Sequence, residues 1–262
     1  MTQEELKRIL KLHKQWLNDK QGGEIAILSR ADLSYLDLSN KDLRNVIFKD
    51  TNLSSANLSN TRLRGANLSG ADLSGADLSG ADLWDADLSN ANLSQADLSK
   101  ANLREVDLSK ANLHKVYAEK ACFIKANLYK ADLTEAHLYG AEFIYANLHK
   151  ANLEKAFMVS ANLGNANISD TNLKETTLHN VQLYNTVLGS HHIRVYSFAE
   201  YPVFRCNNEF VVVYERHTID AWKRFSDGRI KLMGDQEGVI DTSTKLYKAF
   251  DKYLDDTIGA NK

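Results

Sequence analysis

Ala66-Asn67-Leu68-Ser69-Gly70, Ala71-Asp72-Leu73-Ser74-Gly75 and Ala76-Asp77-Leu78-Ser79-Gly80 are three consecutive copies of one five-residue pattern, and Ala81-Asp82-Leu83 begins a fourth. Followed outward, the pattern runs from Ala26 to about Ile193 without a slip of frame. The central residue recurs at 34 positions from Leu28 to Ile193, and all but Ala118 and Met158 are Leu, Ile or Phe. Two residues before the centre stands Ala in 22 of the 34, and Thr or Val in nine more. With no frame slip, no loop interrupts the stretch.

A period of five excludes the two simplest elements. An α-helix advances about 100° per residue, so a Leu five residues on is rotated by roughly 140° and leaves any single core. A straight strand alternates faces every two residues, so an odd period throws the Leu in and out. What remains is a short extended piece and a corner in every five residues. The corner resets the phase and turns every central Leu and every Ala inward, and such units stack into a solenoid.

Ala-(Asp/Asn)-Leu-Ser-Xaa in this many copies resembles the signature of the pentapeptide-repeat family, over about two thirds of the chain. The resemblance implies a mainly β fold, a right-handed quadrilateral parallel β-helix with four pentapeptides per coil. The 34 repeats would make about eight and a half coils, and at a strand spacing of about 4.8 Å a rod roughly 40 Å long. The Leu column is expected to fill the bore, the small column to sit where the wall is tight, and the other three positions to face water.

Three segments follow. Residues 1–25 hold an N-terminal capping helix over residues 2–20, with Thr2 and Glu5 placed for a capping box and Leu6, Ile9, Leu10, His13, Trp16 and Leu17 on one face. Gly22-Gly23 is expected to stop it. Its simplest task is to cover the open first coil. Residues 26–195 are the β-helix. Residues 196–262 form a small α+β tail, with strands at Arg194–Phe198, Val203–Cys206 and Phe210–Tyr214 and a hairpin turn at Asn207-Asn208. A short helix capped by Thr218 and a longer one from about Thr244 complete it. The single proline, Pro202, lies outside the repeats, where it removes no coil-to-coil hydrogen bond.

A formal net charge of −2 argues against direct nucleic-acid binding. No apolar run reaches the length of a membrane span and the N-terminus is charged rather than signal-like, so a soluble cytoplasmic protein is expected. Cys122 and Cys206 fit a reducing compartment better than a disulfide framework. Along the repeats the charge drifts. Between Gly65 and Ser99 the only charged residues are Asp72, Asp77, Asp82, Asp85, Asp87 and Asp97, whereas the repeat's last position later becomes Lys at 100, 110, 115, 120, 125, 130, 150 and 155.

Four repeats per coil would stack residues 20 apart on one face. In steps of 20 the position after the centre reads Arg44, Arg64, Trp84, Arg104, Ile124, Ile144, Gly164 and Tyr184. The other three faces mostly carry Ser there through the first half. Bore packing does not require this outward column, and Trp and Arg anchor many protein interfaces. Arg44, Arg64, Trp84, Arg104, Ile124 and Ile144, with Tyr145 adding apolar surface, are therefore the candidate partner-binding residues. Trp84 is expected to stack with both Arg64 and Arg104. The bland alternative is a ladder in which Arg stems merely cover the indole.

No catalytic, cofactor or metal residues are assigned. The repeat carboxylates are spread by the frame, a filled solenoid has no cleft, and no phosphate loop or nucleophile elbow appears. His191, His192, Cys206 and His217 match no standard zinc spacing. The function expected is a non-enzymatic interaction module, a rigid rod showing a preformed face to a protein partner. The family resemblance implies an alternative, a DNA-mimicking modulator of a type II topoisomerase, and also a dimer that here the C-terminal domain would have to form. A further alternative is a phage or defence regulator that binds its effector through the tail.

Overall fold

The computed structural model describes residues 2–178, 181, 182, 186 and 187, together with the backbone of Val203–Cys206 and Glu209–Val212. Helix α1 spans Gln3–Trp16. Thr2 Oγ1 accepts from the Glu5 N–H (3.1 Å) and Glu5 accepts from the Thr2 N–H (2.7 Å), so the expected capping box is closed. The helix ends four residues earlier than the sequence suggests. After Leu17 the chain turns back through Asp19 at φ 52°, and Gly23 lies so close to the last turn that a Cβ there would sit 2.2 Å from the Trp16 nitrogen. Continuing to residue 20 would remove that return. Among the described residues no helix is long and apolar enough to cross a membrane.

Over the described residues from Ile27 to Val187 the chain is a four-sided parallel β-helix. An unbroken series of parallel bridges joins residues 20 apart, from Ile27↔Ile47 to Asn167↔Val187. Those eight coil steps, at about 4.8 Å each, span about 38 Å. The repeat satisfies its own backbone, as one copy shows. Ala71 N–H closes the corner onto the Leu68 carbonyl (3.0 Å); Asp72, Leu73 and Gly75 donate to Thr51, Asn92 and Ser94 of the neighbouring coils (2.9, 2.7 and 2.9 Å). The fifth N–H, that of Ser74, donates to Asp72 Oδ1 (3.0 Å). Where Asp or Asn stands before the centre, as in most repeats, it is thus the acceptor for the one donor the coils leave over, in an Asx turn. The position expected to face water is only partly exposed for that reason.

The corner also fixes the last residue of the repeat. Gly70 and Gly75 have φ of 67° and 63°, but so do Lys110 (58°) and Lys150 (60°). Positive φ at the third residue of a hydrogen-bonded four-residue corner is the type II geometry, which favours Gly. Here the inter-coil bond from that residue's N–H holds Lys, Asn and Glu in the same well.

The bore is filled as the pattern demands. Central residues from Leu28 to Ile168 are no more than 2% exposed, and Phe123 stacks flat on Phe143 at 4.7 Å. Where Thr replaces Ala, its hydroxyl finds a carbonyl one coil back, as Thr51 does at Leu28 (2.8 Å). Helix α1 covers the first coil through Leu6, Ile9 and Leu10. Buried His13 accepts from the Ala26 N–H at Nδ1 (3.1 Å), while its Nε2 has no partner. Burial lowers the His13 pKa, with the Asp42 carboxylate opposing.

In the tail, strands β1 (Val203–Cys206) and β2 (Glu209–Val212) pair antiparallel, with Cys206 opposite Glu209. This is the expected hairpin, with its second strand starting one residue before Phe210 and ending at Val212. The strand at Arg194–Phe198, both C-terminal helices, and His191, His192 and His217 lie outside the described residues.

Candidate protein interface along the rod

Backbone bonds show that the candidate column stays in register. Asn45, Gly65, Asp85, Glu105 and Lys125 donate in turn to the carbonyls of Arg64, Trp84, Arg104, Ile124 and Ile144, at 2.9–3.0 Å. Arg44, Arg64, Trp84, Arg104, Ile124 and Ile144 therefore climb one edge of the solenoid, one coil apart.

Only part of the expected side-chain ladder forms. The Arg64 guanidinium carbon lies 4.0 Å from the Trp84 ring centroid, and Arg64 Nε is 3.9 Å from the Asp82 carboxylate. Trp84 remains 37% exposed. Arg104 does not close the other side. On the next coil Glu105 pairs with Lys125 at 3.0 Å, and that hydrogen-bonded ammonium holds its carboxyl below its ordinary pKa, with a smaller lowering from the Trp84 side chain. Arg44 turns back onto Asp42 in a bidentate pair (2.8 and 2.9 Å), which lowers the Asp42 pKa. Ile124 and Ile144 are half-buried. Tyr145 stands at φ 60° with 60% of its surface exposed.

A second exposed feature was not singled out from the sequence. On the preceding wall, Tyr117, His137 and Phe157 stack one coil apart, with ring centroids at 4.9 and 5.1 Å. Tyr117 and Phe157 are 47% and 48% exposed. All three occupy the Asx position, so the N–H groups of Glu119, Tyr139 and Val159 lack the side-chain acceptor that other repeats supply. The signal is legible: in steps of 20 that position reads Asp77, Asp97, Tyr117, His137, Phe157 and Thr177.

Charge does not gather into one acidic stripe. The Asp residues occupy all four walls, and most have Asn above or below, with Asn92 Nδ2 donating to Asp72 (3.0 Å) and Asn102 to Asp82 (2.8 Å). In the later coils Lys110, Lys130 and Lys150 stack along one edge and form no ion pair among the described residues. No group of three or more metal-type side chains converges among the described residues. Cys122 is half-buried, its Sγ 3.7 Å from Glu142.

The family model described as pentapeptide repeats matches in 8 copies, over residues 26–65, 47–85, 86–123, 121–158 and 159–189. Solved structures are also similar. HetL of the cyanobacterium Nostoc sp. PCC 7120, a pentapeptide repeat protein involved in heterocyst differentiation regulation, is 28% identical over 68% of this chain and 97% of its own, at a TM-score of 0.33. A pentapeptide repeat protein of the Arabidopsis thaliana thylakoid lumen is 33% identical over 38% of this chain and 69% of its own, at 0.37. A trypsin-treated form of QnrB1, a plasmid-mediated fluoroquinolone resistance protein, is 18% identical over 62% and 91%, at 0.38. No curated protein matches the chain.

Proposed function

The chain belongs to the pentapeptide-repeat family, right-handed β-helix solenoids that serve as protein-interaction modules, and from that premise we propose a non-enzymatic module whose Arg–Trp edge recognises a protein partner. The observation that carries this reading is the Arg64 guanidinium lying 4.0 Å over an indole that stays 37% exposed. Neither residue is needed to fill the bore. A rigid coil pays little ordering entropy on binding, and a fixed cation beside an aromatic face offers an anchor of the kind that dominates interfaces. Two cysteines without metal-type spacing fit a reducing, cytoplasmic setting.

The alternative of a DNA-mimicking topoisomerase modulator asks for a long acidic face. The interleaving of Asp with Asn and the unpaired lysines of the later coils weigh against it. The test is affinity capture with the full chain and with its Arg64→Ser, Trp84→Ser, Arg104→Ser variant, which restores the Ser of the other edges. Proteins retained by the parent should be lost from the variant, with the far-UV spectrum and Tm unchanged. An identical set of retained proteins would remove the edge from consideration.

A further inference from the structure

We propose that two copies of this chain associate side by side and antiparallel, through the wall that bears Tyr117, His137 and Phe157. The wall carries a charge pattern that is its own complement. Along the edge that leads into it, the last residues of successive coils are Lys115, Glu135, Lys155 and Glu175. They are stacked one coil apart by bonds from Lys115, Glu135 and Lys155 N–H to the carbonyls of Thr134, Glu154 and Lys174 (2.9, 2.9 and 2.8 Å).

Consider a two-fold axis perpendicular to the rods, between the walls, midway between the coils of Glu135 and Lys155. It reverses the order of coils but keeps each edge opposite the same edge of the second copy. Lys115 then meets the partner's Glu175, and Glu135 meets the partner's Lys155. The symmetry repeats both contacts, giving four opposite-charge pairs and no like pair. The same operation sets His137 against the partner's Phe157, and Tyr117 against the partner's Thr177. On the far edge exposed Tyr139 meets the partner's Val159. Both rods have the same coil spacing, so the matches stay in step.

Charge selects this register. Moving the axis half a coil, onto Glu135, places Lys115 opposite the partner's Lys155. A parallel arrangement brings Lys115 opposite the partner's Lys120. Like charges so placed are disfavoured, which is how charge patterns fix register. Pairing along one column, such as Lys115–Glu135 at 3.5 Å, is a solvated contact of little worth by itself. The second, independent sign is that the same coils surrender the Asx acceptor to exposed, stacked aromatic rings. The contact covers four coils, about 19 Å of rod, which falls short of the roughly 800 Å² per partner of a standard interface, so the dimer is weak and concentration-dependent. The Arg–Trp edge lies on another corner and earlier coils and stays open.

The experiment is sedimentation velocity on the full chain, from micromolar to hundreds of micromolar. The parent should shift from monomer to dimer across that range, and Glu135→Lys should weaken association at least tenfold. The fourfold variant Lys115→Glu, Glu135→Lys, Lys155→Glu, Glu175→Lys reverses every charge and keeps the pattern complementary. It should dimerise with itself as the parent does. Tyr117→Asn, His137→Asn, Phe157→Asn returns the Asx acceptor to three repeats and should yield a folded monomer. A parent that is monomeric throughout, a dimer that survives both Glu135→Lys and the triple Asn variant, or a charge-reversed chain that stays monomeric where the parent dimerises would each overturn the proposal.

Discussion

Replacing Leu78 by Ala tests the bore where the repeat is most regular. Leu78 is fully buried, with Leu58 and Leu98 in the coils below and above. The substitution removes three carbons, worth about 2.4 kcal/mol at roughly 0.8 kcal/mol per buried methylene. Adjacent coils are tied by bonds of 2.6–3.0 Å around this residue, so the wall has little freedom to collapse. A residual cavity then adds to the loss, and about 3–5 kcal/mol is expected in all. The assay is urea unfolding of the full chain followed by far-UV circular dichroism, with Ser79→Ala as the half-buried, outward-facing control, expected within about 0.5 kcal/mol of the parent. Because coils stabilise only their neighbours, Leu78→Ala should also broaden or split the transition. A loss below about 1 kcal/mol would mean that Leu78 does not point into a close-packed bore, and the phase argument would fail with it.

Three further outcomes follow from the geometry. His13 is buried and neutral, so its folded pKa lies below its ordinary value of 6.5 and the folded state binds fewer protons. Its contribution is complete above that value and declines as pH falls through and below it; Tm should drop with acidification below about 6.5, less steeply in His13→Gln, and equal slopes would contradict this role. A Cβ on Gly70 would lie 2.5 Å from Asp50 Oδ1, whereas one on Gly75 would lie 3.5 Å from Ser55 Oγ. Both substitutions to Ala incur the left-handed strain of about 1–2 kcal/mol, and Gly70→Ala should cost measurably more than Gly75→Ala in thermal unfolding. Asp77→Ala strands the Ser79 N–H that now donates at 2.9 Å and should lose about 1 kcal/mol, while Asp77→Asn keeps an acceptor and removes the like charge facing Asp97 one coil on, so its Tm should equal or exceed the parent's.

The inward half of the repeat was legible because burial depends on side-chain type and period alone. Leu at the centre and Ala two before it could have only one consistent phase. The capping box at Thr2 and Glu5 and the hairpin of Val203–Cys206 with Glu209–Val212 were readable for a similar reason, being set by residues close in sequence. The outward half was harder. The role of Asp72 as acceptor for Ser74 appears only once the other four N–H groups of the repeat have been assigned. The left-handed corner at Lys110 is imposed by the next coil against the residue's own preference. The end of α1 is set by contact with Gly23, not by helix propensity. Of the candidate column, the register was readable and the packing was not. Trp84 takes Arg64 and not Arg104, a choice between two equally spaced neighbours. The aromatic ladder was present at 20-residue intervals but was hidden by a reading confined to the position after the centre.

The central claim is that four five-residue repeats close each coil, so that residues 20 apart are neighbours. It is tested most directly by cysteine cross-linking of the full chain with Cys122 and Cys206 replaced by Ser. Ser74→Cys with Ser94→Cys places two thiols on adjacent coils at about one strand spacing, within disulfide reach, where Gly75 N–H already donates to the Ser94 carbonyl at 2.9 Å. Ser74→Cys with Ser89→Cys places them on different corners. Mild oxidation should join the first pair within one chain and leave the second open; a cross-link in the second pair and none in the first would contradict the four-sided coil and every column built on it.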